Sequence, residues 1–144
     1  MEENLHKEQA VERLSRKHLG GQAYAEIWHA SLASDKDKAD AIYGTMLAAR
    51  RLRDSKKVME HLSHPQVERV FELSRKVGSE AYNYKGFLRF RELSGGILYG
   101  GIAPKNRILT CIAPHFANRL PQENWLIHDK THHMYAVHEA GKEW

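Results

Sequence analysis

The chain has 144 residues, 42% hydrophobic and 28% charged, with a formal net charge of +4 and a pI near 9.2. That length suits one domain able to bury a core without staples, in a composition ordinary for globular proteins. No apolar run approaches the ~20 residues that span a bilayer, and the lone Cys111 excludes an internal disulfide framework or a cysteine-rich zinc site.

The first residues, MEENLHKEQAVERL, are charged and helical in pattern, without the apolar core of a signal peptide, so the expected compartment is the cytoplasm. Val11, Leu14 and His18 keep helical spacing until Gly20-Gly21, which stop that helix. Ala23, Tyr24, Ile27, Trp28, Ser31 and Leu32 form a second stripe. Ser34 is the expected N-cap of a third helix, with Ala39, Ile42, Tyr43, Met46 and Leu47 as its inner face. A short helix around Val58 to Leu62 ends at His64-Pro65. The strongest helical pattern runs from Gln66 to about Tyr84, through Val67, Val70, Phe71, Ser74, Val77, Ala81 and Tyr82.

The period then changes to two. Gly86 to Leu93 and Ile97 to Ile102 read as strands joined by Ser94-Gly95-Gly96, whose glycines allow positive φ. Leu109 to Leu120 starts like a strand but carries Pro114 where a first helical turn would take it, with Phe116 and Leu120 four apart. Trp125 to Asp129 and Met134 to His138 form a second hairpin. The sum is an α+β fold in one domain over 1–144: a helical half of about five helices over 1–84, and a half over 85–144 with an antiparallel sheet of about four strands and one inserted helix.

Alternation in the first hairpin puts Leu88, Phe90, Leu98 and Ile102 toward the helices, and Phe87, Arg89, Arg91, Ile97 and Tyr99 on the other face. Arginines interleaved with aromatic rings suit nucleic acid, because guanidinium pairs with phosphate and a ring face accepts a stacked base. The same residues could instead pack under another element, with the arginines capping its edge. Gly100-Gly101 either admits a close approach beside Tyr99 or marks a bulge. Lys85 and Arg119 would extend the polyanion surface, as would Arg50, Arg51 and Arg53, although arginines at a helix C-terminus also answer the helix dipole.

Five of the ten histidines lie in 128–138, but neither HExxH nor a Cys/His ligand set accompanies them, so no metal and no cofactor is expected. His128 and Asp129 are candidates for an acid/base couple, although adjacent strand residues point to opposite faces. His115 and Arg119 lie four apart, with Cys111 one turn earlier; a nucleophile pair there lacks its orienting third group. An enzyme reading therefore gathers His115, Arg119, His128 and Asp129 into one pocket. A third reading is a protein-docking module without nucleic-acid contact.

Four segments in order, Arg75 to Ala81, KGFLRFRE (85–92), PHFANR (114–119) and NWLIHD (124–129), resemble a bacterial family of unknown function labelled "probable DNA metabolism protein". The helical part from about Val11 to Leu62 also fits it. Its members are encoded beside a radical SAM protein of DNA modification or repair, and some are fused to a domain similar to uracil-DNA glycosylase. The resemblance implies a nucleic-acid-binding accessory role in that chemistry, on DNA, with the radical SAM protein as partner. It carries no catalytic residues to this chain. Members are longer at both ends, which implies either a short member or a piece of a longer one.

Overall fold

The computed structural model describes residues 19–144, so the expected helix at Val11, Leu14 and His18 lies outside the described residues. The chain divides into two compact units, one up to Arg75 and the other from Lys76. Among the described residues no helix is long and apolar enough to cross a membrane.

In the first unit, residues 19–31 form helix α1, with Gly20 at φ 76°, a left-handed conformation that glycine adopts without steric cost. Helix α2 (Lys38–Arg51) starts later than Ser34, and Asp37 stands at its N-cap without a side-chain capping bond. Its carboxylate is engaged elsewhere. Arg69 donates from Nε to Asp37 Oδ2 at 2.8 Å and from Nη2 to Asp35 Oδ2 at 2.8 Å, holding the start of α2 by charge-assisted bonds.

The buried stripe of α2 is Ala41, Thr45 and Ala49, whereas Tyr43, Met46 and Leu47 are exposed, which corrects the expected inner face. The helix is closely approached beside that stripe: a Cβ on Gly44 would collide with the Gln66 side chain, which favours small residues there. A 3₁₀ turn (Ser55–Glu60) follows, with Asp54 accepting from the Lys56 amide. Pro65 then opens α3 (Pro65–Phe87) at the first helical position, where a missing N–H is harmless.

Helix α3 buries Val67, Val70 and Leu73 in the first unit and Val77 and Ala81 in the second. It continues to Phe87, so the expected strand from Gly86 shrinks to β1 (Arg91–Glu92). Gly86 weakens a helix by only about 1 kcal/mol and does not break it. In the second unit β1 is followed by β2 (Leu98–Ile102), helix α4 (Leu109–Arg119), β3 (Trp125–Asp129) and β4 (Met134–His138).

The ambiguous segment is thus a helix, with Pro114 in its interior. The sheet order is β1-β2-β3-β4. The outer pairs are antiparallel, but β2 and β3 are parallel, so the sheet is mixed where an antiparallel one was expected. The cause is α4, which turns the connection between β2 and β3 into a crossover. The turn between β1 and β2 has Gly95 at φ 88° and Gly96 at φ 77°, as the glycine pair predicts.

Helix α4 packs on β3 and β4 and covers one sheet face. That face carries Ile102, Trp125, Ile127, Ala136 and His138, all buried with Ile112 and Phe116 of α4. Phe90 packs edge-on against Phe116, ring centroids 5.3 Å apart. A Cβ on Gly100 would sit 3.1 Å from Phe90 and 3.2 Å from Leu88, so this glycine makes room for the inner residues of KGFLRF. The loop after β2 is pinned by Glu80, whose carboxylate accepts from the amides of Lys105 (2.9 Å) and Asn106 (2.8 Å).

Candidate nucleic-acid interface

Register and alternation place the side chains of the other sheet face in two rows. Arg91, Tyr99, Leu126 and Val137 are cross-strand partners in one row; Gly101, His128 and Tyr135 form the next. Arg91, Tyr135 and Val137 are exposed, and Tyr99, Leu126 and His128 are half-buried among their neighbours. This face is open, basic at the β1 side and aromatic toward β4.

The rings are mutually oriented. The Arg91 guanidinium carbon lies 5.2 Å from the Tyr99 centroid, a cation–π contact worth about 0.5–1 kcal/mol at an exposed site. Tyr99 Oη is 2.9 Å from His128 Nδ1; with the imidazole proton on Nε2, the hydroxyl donates to Nδ1. His128 in turn stacks on Tyr135, with centroids 4.3 Å apart and planes 5° from parallel. Arg91, Tyr99, His128 and Tyr135 are therefore one connected array across all four strands.

Beside Tyr99 lies an open recess of about 370 Å³, lined by Arg89, Phe90, Arg91, Tyr99, Gly101 and Lys130. Gly101 explains how Lys130 reaches it. A Cβ there would stand 2.9 Å from Lys130 Cε and 3.1 Å from Nζ, so the bare glycine lets the lysine lie across β2. Three cations then line one recess together with the rings of Phe90 and Tyr99. That is a place for an anion carried by something planar.

The other expected site residues lie elsewhere. Phe87 ends α3 and is 75% exposed, away from the strand alternation that paired it with Arg89 and Arg91. Lys85 is in the last turn of α3, and its charge acts on Cys111 and His115. Arg119 closes α4 and is exposed. Arg50 and Arg51 occupy the last turn of α2 and Arg53 follows it, all three exposed and in the first unit.

His128 and Asp129 face opposite ways. Asp129 is fully buried and accepts from the His132 amide at 3.1 Å, with His132 Nδ1 2.7 Å from its other oxygen. This closes the β3–β4 turn, in which His133 adopts φ 54°. His115 has its Nε2 buried with no hydrogen-bond partner; burial, and the charges of Lys85 and Arg119, push its pKa below the ordinary 6.5. Burial pushes the Cys111 thiol up, against the thiolate that a nucleophile needs. Among the described residues no three His, Cys, Asp or Glu side chains gather in a group able to hold a metal ion.

Periodicity alone does not reveal Lys130 and Tyr135 as members of the array. Gly101 is the signal for the first, since a bare position on a strand announces a close approach. For Tyr135 the signal is the β3–β4 hairpin, whose register sets it opposite His128.

These features define an α+β protein whose mixed sheet is covered on one face and shows an ordered basic and aromatic array on the other. The chain belongs to a family described as a domain of unknown function (DUF4130), whose model matches residues 36–143. No curated protein and no solved structure matches the chain.

Proposed function

We propose that the chain is a cytoplasmic nucleic-acid-binding accessory domain that holds polyanion on the open sheet face. The observation that carries this reading is the recess lined by Arg89, Arg91, Lys130 and Tyr99, with the Arg91 guanidinium over the Tyr99 ring. Cations beside exposed aromatic rings match a phosphate-linked base better than a bare phosphate or an apolar peptide. The resemblance of the KGFLRFRE, PHFANR and NWLIHD segments supports DNA as the polymer and DNA repair or modification as the setting, with a radical SAM protein as partner.

A salt titration tests the reading. Neutralising three phosphates predicts a log–log slope of affinity against salt of about −2 for a single strand, at roughly 0.7 per phosphate. Fluorescence anisotropy with a labelled oligonucleotide measures it. Affinity that does not change with salt, or no binding at all, removes the proposal.

A further inference from the structure

We infer that the open face is built for a single strand, with a backbone phosphate in the Arg89–Arg91–Lys130 recess and a base stacked on Tyr135. This rests on the nucleic-acid reading above and goes further by naming the form of the substrate and the residue that selects it.

Size excludes the duplex first. Four strands have three spacings of about 4.8 Å, so the sheet spans about 14 Å between its outer backbones. A major groove about 12 Å wide and a minor groove about 6 Å wide do not admit that surface. In a duplex the ring faces of the bases are also buried in the stack, so an aromatic array finds nothing to stack on.

The array suits an unpaired base. Tyr135 is 58% exposed on β4, an edge strand, and one of its ring faces is occupied by His128. A base placed on the free face would extend the His128–Tyr135 stack by one ring. Val137, 62% exposed, and Leu126 form an apolar pair in the adjoining row of the same face. The His128 ring is held by Tyr99 at its Nδ1, so the stack is pre-formed and a ligand need not order it. The recess cations lie toward the β1–β2 side and the exposed Tyr135 ring on the β4 side. A single strand that crosses the sheet meets both; a rigid rod resting on it meets mainly the charges.

The experiment compares a labelled 12-nucleotide single strand with its fully paired duplex at one salt concentration, using the whole chain, its Tyr135→Ala variant and its Tyr135→Phe variant. The single strand is expected to bind at least about tenfold tighter than the duplex. Tyr135→Ala should weaken single-strand binding about 5- to 150-fold, the range of one lost base–aromatic stack, and leave duplex binding within twofold. Tyr135→Phe keeps the ring and should keep the affinity. A melting temperature near that of the unsubstituted chain verifies that Tyr135→Ala folds. Equal affinity for the two forms, or a Tyr135→Ala variant that holds the single strand as before, overturns this inference and leaves the nucleic-acid reading standing. If neither form binds, both are overturned.

Discussion

Replacing Trp125 by alanine is expected to cost about 3–5 kcal/mol of stability, the range for emptying a large aromatic site in a core. Trp125 is 1% exposed and stacks on His138 with centroids 5.0 Å apart and planes 11° from parallel. It pairs in register with Leu98 on β2 and with His138 on β4, so it lies in the middle of the covered sheet. Its indole Nε1 makes no hydrogen bond, which simplifies the result: truncation orphans no acceptor, and the loss is packing and cavity. Against a total stability of about 5–15 kcal/mol this is a severe loss. Urea unfolding followed by far-ultraviolet circular dichroism measures it. Trp28→Ala, at a ring 45% exposed on α1, should cost far less.

The second large effect concerns binding. The double variant Arg89→Glu, Arg91→Glu is expected to lower single-strand affinity at least about 30-fold near 0.1 M salt, because two charge-assisted phosphate contacts become repulsions. Arg91→Glu also removes the cation from the Tyr99 ring. Both side chains are exposed, so the melting temperature should hardly change. Lys142→Glu is the control for charge alone. Lys142 is exposed and pairs only weakly with Glu139, at 3.2 Å, and reversing it should alter affinity less than threefold. Anisotropy titrations of the three proteins distinguish a site from a general field effect.

Much of the architecture is legible before folding is seen. Val67, Val70, Val77 and Ala81 announce α3 because a long amphipathic stripe has no other use, and Gly95-Gly96 announce the turn before β2 because few residues adopt their φ. Three features are not legible, each for a physical reason. A strand's own pattern carries no information about the direction of its partner, so the parallel β2–β3 pair emerges only with α4 as a crossover. Large apolar residues do not always face inward. In α2 the helix buries Ala41, Thr45 and Ala49 instead of Tyr43, Met46 and Leu47, with a close approach to Gln66 at Gly44. The segment Tyr82 to Phe87 satisfies either period, and the helix already nucleated in α3 propagates through it at less cost than a new strand.

The site divides in the same way. Arg91 and Tyr99 are legible as neighbours because a hairpin with a glycine turn fixes their register. Lys130, and the link from Tyr135 and His128 to Tyr99, depend on which strand lies beside β2, which local sequence does not carry. Phe87 drops out of the face by the extension of α3 alone.

The central claim is that nucleic acid lies on the open sheet face, and amide chemical-shift mapping tests it most directly. On addition of a single-stranded oligonucleotide to the ¹⁵N-labelled chain, the account predicts that the largest shifts fall on Arg89, Arg91, Tyr99, Gly101, His128, Lys130 and Tyr135. Shifts centred on α4, on the far side of that sheet, or on Arg50, Arg51 and Arg53 with the sheet unmoved, would contradict it.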